Sequence, residues 1–197
     1  MAARQEIIPH SQPGAHQAPH KLRIVVVGTS CSGKTTLAHR IAAAKNLPHI
    51  ELDALHWGPN WTPAPLADFR QAVAAQAALE AWVIDGNYGK VRDLIWPRAT
   101  HLVWLNLPFI RVFRQALSRT LQRILTREEL WSGNRETLKG ALFERDAILW
   151  WVIRTHRRRR RQYQQLLTEA RYRHLVVSEI HSPAEVENLL LELETWG

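Results

Sequence analysis

Residues 28–36 combine glycine, lysine and hydroxyl side chains at a spacing that can bind phosphate. The run reads Gly28-Thr29-Ser30-Cys31-Ser32-Gly33-Lys34-Thr35-Thr36 and contains the pattern G-x-x-x-x-G-K-[ST]. In this pattern the glycines let backbone N–H groups turn towards phosphate oxygens, the lysine reaches the β- and γ-phosphates, and the following hydroxyl ligates Mg²⁺. We predict that these residues bind ATP with Mg²⁺, that Lys34 also acts in catalysis, and that Thr35 holds the metal. The alternative is a glycine-rich turn that binds nothing.

The elements around this run follow from the spacing of apolar residues. Leu22–Val27 is a β-branched run that predicts a buried strand, and a helix is predicted over 33–46, so the run lies between a strand and a helix. The remaining predicted strands are His49–Leu52, Trp82–Ile84, His101–Leu105 and His174–Val177, and the remaining helices cover 66–80, 90–95, 109–125, 141–171 and the residues after Ser182. Apolar strands that alternate with helices predict a parallel sheet covered on both faces. We expect a single α/β domain over residues 21–197.

Three polar residues follow predicted strands and should lie at the ligand-binding edge of such a sheet. Asp85 follows an apolar run, which is the pattern of a Walker-B carboxylate that holds Mg²⁺ through water. The alternative is a helix cap or a turn, since Asp-Gly is a common turn sequence. Asp53 could orient an acceptor hydroxyl or take its proton, or it could cap the following loop. Asn106 cannot act as a base. We predict that Asp85 is a metal ligand and that Asp53 is catalytic and binds the substrate.

Two of the nine tryptophans lie in the Pro- and Gly-rich loop after Asp53. Trp57 and Trp61 could form a wall of a substrate pocket, or they could seal this loop against the sheet. We predict that Trp57 contacts the substrate.

The positive charge of the chain is concentrated in one segment. The net charge is +8, but residues 111–173 hold 16 of the 26 Lys and Arg and only 6 of the 18 Asp and Glu, a local net charge of +10. Such a segment attracts polyanions. Within it, Arg119 and Arg123 share one helix face, as do the arginines that begin at Arg154 and include Arg158. We predict that these four arginines stabilise the transferred phosphate, and that Arg159 and Arg160 belong to a solvated face.

The first twenty residues differ in composition from the rest of the chain. They are rich in Pro, Gln, His and Ala, so we predict a disordered tail. They also lack the basic start and long apolar stretch of a secretory signal. The chain has one cysteine and no apolar run near the ~18 residues that a membrane span requires. These features lead us to expect a cytoplasmic protein.

Taken together, five segments resemble the small P-loop kinases related to adenylate kinase, and most closely the group known as "DNA topology modulation" proteins. The segments are GTSCSGKTT (28–36), LDALHW (52–57), WVIDGNY (82–88), WLNLP (104–108) and the arginine-rich helix near 154–161. The resemblance implies a five-stranded parallel sheet in the order 2-3-1-4-5 and a small helical lid, here residues 126–140. It also implies that Asp85 lies near Mg²⁺, that Asn87 and Tyr88 face the acceptor, and that the arginines flank the lid.

These observations favour an ATP-dependent phosphotransferase that acts on a small metabolite or nucleotide. Two alternatives remain open. The basic segment would also suit a nucleotide-gated, nucleic-acid-binding regulator. Simple hydrolysis of a nucleoside triphosphate is the other alternative, although no Gln or Glu has an evident place to align a water molecule. The sequence does not identify the acceptor, and it does not distinguish ATP from GTP.

Overall fold

The protein is described by a computed structural model for residues 21–126, 129–134, 148–193 and 196. The tail predicted for residues 1–20 therefore lies outside the described residues. The same holds for residues 127–128 and 135–140 of the predicted lid, and for residues 141–147 of the predicted long helix. No helix in the described part of the chain is long and apolar enough to cross a membrane.

The five strands form one parallel sheet in the order β2-β3-β1-β4-β5. Their bounds are β1 Arg23–Gly28, β2 His49–Glu51, β3 Trp82–Asp85, β4 His101–Leu105 and β5 Val176–Ile180. This arrangement confirms the predicted fold class and strand order. Because β1 lies at the centre, the residues that follow it have neighbours on both sides at the carboxyl edge of the sheet.

The helices connect successive strands. Their bounds are α1 Lys34–Lys45, α2 Leu52–His56, α3 Leu66–Ala77, α4 Arg92–Ile95, α5 Phe109–Thr126, α6 Ile148–Thr168 and α7 Pro183–Glu192, with short 3-10 turns at Pro59–Trp61, Gly89–Val91, Trp96–Arg98, Trp131–Gly133 and Ala170–Tyr172. The last helix begins as its sequence predicts, since Ser182 Oγ accepts a hydrogen bond from the Glu185 N–H and Pro183 occupies the first turn.

Two local predictions differ from the structure. The fifth strand was expected at 174–177 but spans Val176–Ile180. It is an edge strand in which Ile180 is buried while Val176 and Val177 are exposed, so its apolar pattern is weak. The second strand was expected at His49–Leu52, ending at Asp53, but it ends at Glu51, and Asp53 lies in the short helix α2.

Hydrophobic side chains cover both faces of the sheet. On one face, Val25 and Val27 of β1 pack with Phe69 of α3 and Leu166 of α6. On the other face, Ile24 and Val26 pack in a cluster that contains Leu37 and Ile41 of α1 and Leu189 of α7. Burial on both faces explains why the central strands read as continuous apolar runs. The polar residues of the site therefore concentrate at the strand ends.

Candidate functional site

The P-loop, residues 28–35, leads from the end of β1 into the start of α1. Gly28 packs closely against β4, because a Cβ atom there would lie 2.8 Å from both the Leu105 carbonyl oxygen and Ser32 Oγ. Gly33 has a φ of 92°, a left-handed conformation that glycine adopts without a side-chain clash. Helix α1 begins at Lys34, and the first turn of a helix leaves its N–H groups without intrahelical partners. The P-loop can therefore surround an anion with backbone donors.

Lys34 lies among charged side chains from three other elements. Its Nζ donates a hydrogen bond to the Thr29 carbonyl oxygen at 3.4 Å. Burial lowers the pKa of Lys34, the carboxylates of Asp53 and Asp85 oppose this shift, and the positive charge of Arg119 adds to it. The structure thus brings together, beside the P-loop, four side chains that the sequence predicted for the site.

Asp85 is buried at the end of β3 with a carboxylate oxygen suited to a cation. Its Oδ2 atom has no hydrogen-bond partner among the described residues and lies 3.5 Å from Nε2 of His49. Carboxylate and hydroxyl oxygens, here from Asp85 and Thr35, are the ligands that Mg²⁺ prefers. In the described ranges no group of three or more His, Cys, Asp or Glu side chains could hold a metal alone. Metal roles for Asp85 and Thr35 stay predictions, and their oxygens would suit an ion that takes its other ligands from phosphate and water, as Mg²⁺ commonly does.

Asp53 is held by Tyr88 from the segment that follows β3. The Tyr88 hydroxyl donates a hydrogen bond to Asp53 Oδ1 at 2.5 Å. Burial, reinforced by the charge of Asp53, raises the pKa of Tyr88, so the hydroxyl keeps its proton. The His56 ring packs on the Tyr88 ring at a centroid distance of 4.7 Å, and burial lowers the pKa of His56. These contacts fix one carboxylate next to a neutral phenol and a histidine that favours its neutral form.

Two asparagines near the site have protein partners. The carboxamide of Asn87 hydrogen-bonds to both the N–H and the carbonyl oxygen of Gly28, and it accepts a hydrogen bond from the Tyr163 hydroxyl. Asn106 is buried at the end of β4 and donates to Glu179 at 2.5 Å. The role of Asn87 in binding the acceptor stays a prediction, but its side chain is already engaged by the P-loop.

The predicted catalytic arginines fall into two groups. Arg119 and Arg123 lie on α5 and are partly buried, and Nε of Arg119 is buried with no hydrogen-bond partner among the described residues. Arg154 and Arg158 lie on α6 and are exposed. Arg119 is the one whose charge acts on Lys34. Catalytic roles for the other three arginines stay predictions.

The expectation that Arg159 belongs to a solvated face was wrong. Arg159 is partly buried, and its guanidinium donates to the Asn87 carbonyl oxygen at 3.1 Å and to Gln162 at 3.4 Å. Tyr163, four residues later, is almost fully buried. Residues four apart share a helix face, so the aromatic side chain at 163 was the available signal that Arg159 lies on a packed face of α6.

Part of the predicted lid packs on the loop that contains Trp57. Trp131 Nε1 donates to Glu51 at 3.1 Å, Ser132 Oγ donates to the Trp57 carbonyl oxygen at 2.9 Å, and Asn134 Nδ2 donates to the Gly58 carbonyl oxygen at 2.9 Å. The indole rings continue the contact, with centroid distances of 5.8 Å for Trp57–Trp61 and 6.4 Å for Trp61–Trp131. Trp57 therefore seals the loop, and its contact with a substrate stays a prediction. Sequence reasoning missed Glu51 and Trp131; a tryptophan within a polar segment was the available signal.

An open cleft adjoins the P-loop on the side of α5 and α7. Its volume is about 240 Å³, and it is lined by P-loop and α1 residues together with side chains of the other two helices, including Ser32, Gly33, Thr36, Gln115, Pro183 and Val186. Asp53 and Asp85 do not line it. The cleft thus has room for a group that extends from a bound phosphate away from these carboxylates.

Comparison with known proteins supports the fold but not a closer relationship. A scan against models of protein families finds no match, and a search of curated proteins finds none either. Among solved structures, the chain is similar to a shikimate kinase from Bacteroides thetaiotaomicron, with a TM-score of 0.54 and 16% identity over 88% of this chain and 97% of that one. A gluconokinase from Sinorhizobium meliloti 1021 matches with a TM-score of 0.48 and 20% identity over 90% and 98% of the two chains.

At 16% identity, the likeness to the shikimate kinase shows the fold alone. This chain has the fold of a small P-loop kinase. The class follows from the sheet order, the P-loop and the structural similarity to the shikimate kinase. The particular reaction must be argued from its own site.

Proposed function

We propose that this protein is an ATP-dependent kinase that transfers the γ-phosphoryl group to a hydroxyl of a small metabolite or nucleotide. The observation that carries the proposal is Asp53, which Tyr88 fixes and whose charge acts on Lys34 of the P-loop. A carboxylate in that position can take a proton from an acceptor hydroxyl next to the transferred phosphate. The finer resemblance to "DNA topology modulation" proteins and a cytoplasmic location remain part of the proposal.

The phosphate side of the reaction depends on residues of the P-loop and β3. Backbone N–H groups at the start of α1 hold the phosphates, and the ammonium group of Lys34 neutralises charge on the β- and γ-phosphates. Mg²⁺, when bound with the nucleotide, would neutralise further charge on the phosphate oxygens. Thr35 and Asp85 would hold it. Arg119 adds a second cation on the side of α5.

The acceptor side depends on Asp53. Tyr88 hydrogen-bonds to Oδ1, so the orientation of the carboxylate is fixed and Oδ2 is the oxygen we assign as proton acceptor. As the acceptor oxygen bonds to the γ-phosphorus, the bond from that phosphorus to the bridging oxygen of ADP breaks, and the acceptor proton passes to Asp53. Lys34, across from Asp53, stabilises the charge that spreads over the transferred group.

The nucleoside would lie in the open cleft on the opposite side of the P-loop. This places the base near Gln115 and Pro183, and it leaves the γ-phosphate on the side of the two carboxylates. The adjacent pair of Arg40 and Glu187, joined at 2.6 Å, borders the same cleft.

The decisive experiment compares Asp53→Asn with wild type and with Asp68→Asn, which changes an exposed carboxylate of α3 in the same way. ADP formation from Mg-ATP is measured with a panel of hydroxyl-bearing acceptors, and Mg-ATP binding is measured by calorimetry. We expect Asp53→Asn to lower kcat by about 100-fold while the Kd for Mg-ATP changes by less than about 2-fold. Unchanged turnover in Asp53→Asn, or wild-type ADP formation that needs no acceptor, would reject the proposal.

A second candidate function is nucleotide-gated binding of nucleic acid. Helix α6 exposes five arginines, namely Arg154, Arg157, Arg158, Arg160 and Arg161. Exposed guanidinium groups that contact phosphates give an affinity that falls steeply with salt. A gel-shift titration at two salt concentrations, with and without ATP, tests this function. Absence of binding near physiological salt would remove it.

A further inference from the structure

We infer that Asn87 is a positioning residue that holds Gly28, the first glycine of the P-loop, in place. Its carboxamide makes the two hydrogen bonds that the backbone of a neighbouring strand would otherwise make. This inference rests on the proposed binding of nucleotide by the P-loop. It assigns to Asn87 a role other than the acceptor contact that the sequence suggested.

The backbone pairing between β1 and β3 stops two residues before Gly28. The paired residues run from Arg23 with Trp82 to Val26 with Asp85, and the Gly86 N–H makes a last bond, 3.3 Å long, to the Val26 carbonyl oxygen. Every second residue of β1 turns its N–H and carbonyl towards β3, so Gly28 is the next to need a partner on that side.

The side chain of Asn87 provides that partner. Its Oδ1 accepts from the Gly28 N–H at 3.3 Å, and its Nδ2 donates to the Gly28 carbonyl oxygen. A carboxamide has one acceptor oxygen and one donor nitrogen, as a peptide group does, and therefore satisfies both atoms of Gly28. The hydrogen bonding on this side of β1 thus continues to Gly28 through a side chain, at the first residue of the P-loop.

Helix α6 in turn holds Asn87. The Tyr163 hydroxyl donates to Oδ1 at 2.7 Å, and Arg159 donates to the Asn87 carbonyl oxygen at 3.1 Å. Burial raises the pKa of Tyr163 to about 12, so the hydroxyl remains a donor at neutral pH. Oδ1 receives two donors, and one N–H of Nδ2 donates to the Gly28 carbonyl oxygen. An acceptor molecule would have to compete with the Gly28 N–H and the Tyr163 hydroxyl to use Oδ1, and one N–H of Nδ2 is left for any other contact.

The opposite end of β1 offers a matched control. There, Thr100 Oγ1 accepts from the Arg23 N–H at 3.0 Å and donates to the Arg23 carbonyl oxygen at 3.1 Å. This is the same kind of bridge from a side chain to both backbone atoms of a β1 residue, at the end of the strand away from the P-loop. Thr100→Val removes the bridge and keeps the shape of the side chain.

The experiment measures the Kd for Mg-ATP by calorimetry and the Tm for four variants, Asn87→Ala, Asn87→Asp, Tyr163→Phe and Thr100→Val. We expect about 10-fold weaker binding for Asn87→Ala, because both atoms of Gly28 lose their partner. Asn87→Asp should be weaker still, since a carboxylate cannot donate to the Gly28 carbonyl and adds negative charge beside the phosphates. Tyr163→Phe should weaken binding by about 3-fold. Thr100→Val should lower the Tm and leave the Kd unchanged.

The outcomes separate this inference from the proposed function. If wild type binds Mg-ATP and Asn87→Ala binds it equally well, Asn87 has no positioning role, while the kinase proposal stands. A higher acceptor KM with an unchanged nucleotide Kd would return Asn87 to acceptor binding. If wild type does not bind Mg-ATP, the kinase proposal fails, and this inference fails with it. Should Asn87→Ala not fold, Tyr163→Phe keeps the ring packed on Trp96 and still decides the question, because an unchanged Kd there contradicts the network.

Discussion

The proposed phosphate side and the proposed acceptor side of the site differ in how far apart their residues lie along the chain. The phosphate side consists mainly of the consecutive residues 28–35, which form a loop between one strand and one helix. The acceptor side joins distant segments: Tyr88 reaches Asp53 across 35 residues, and Trp131 reaches Glu51 across 80. A local loop and an assembled pocket should therefore respond differently to substitution, with the first changing nucleotide binding and the second changing transfer to the acceptor.

The largest effect is expected for Lys34→Ala on the phosphate side. Loss of the ammonium group removes the charge that stabilises the transferred phosphate, so kcat/KM should fall by at least about 100-fold. The assay is ADP formation, and the control is Lys21→Ala, an exposed lysine that pairs with Glu80. Full activity of Lys34→Ala across the acceptor panel would contradict the assignment of the P-loop.

Asp85→Asn should raise the Mg²⁺ concentration needed for half-maximal ADP formation by about 10-fold or more. The reason is that the side chain at the end of β3 loses its negative charge. Nucleotide binding measured without Mg²⁺ should stay unchanged in the same variant. An unaltered Mg²⁺ requirement would show that Asp85 does not hold the metal.

Tyr88→Phe should affect the acceptor side alone. It removes the hydroxyl that fixes Asp53 but keeps the ring packed on His56. We expect kcat to fall by about 10-fold with the Kd for Mg-ATP unchanged. A weaker Kd with unchanged kcat would be the reverse result, and it would show that the two sides are not separable in this way.

The smallest effect is expected for Trp131→Phe. The change removes the indole N–H that donates to Glu51 and keeps an aromatic ring against Trp61. Loss of one hydrogen bond should raise the acceptor KM by about 3-fold and leave nucleotide binding unaffected. If the acceptor KM does not move, the docking of residues 129–134 on the loop does not shape the acceptor pocket.

The sequence made the phosphate side predictable because its chemistry depends on backbone geometry within one short segment. The glycine positions, the lysine and the threonine specify a loop that presents backbone N–H groups, an ammonium group and a hydroxyl. The central strands were likewise readable, since burial on both faces requires continuous apolar runs. The edge strand β5 was misplaced because that requirement is absent where Val176 and Val177 face solvent.

Tertiary packing alone decided the partners of the remaining polar residues. The sequence predicted that Arg159 lies in solvent, whereas its guanidinium donates to the Asn87 carbonyl oxygen. It also gave no sign that the Asn87 carboxamide bonds to Gly28, 59 residues away. The packing of separate elements likewise brings the Tyr88 hydroxyl to Asp53, whose carboxylate it orients. The physical reason is that a strand or loop conformation depends on neighbours along the chain, while a hydrogen bond between side chains depends on where separate elements pack.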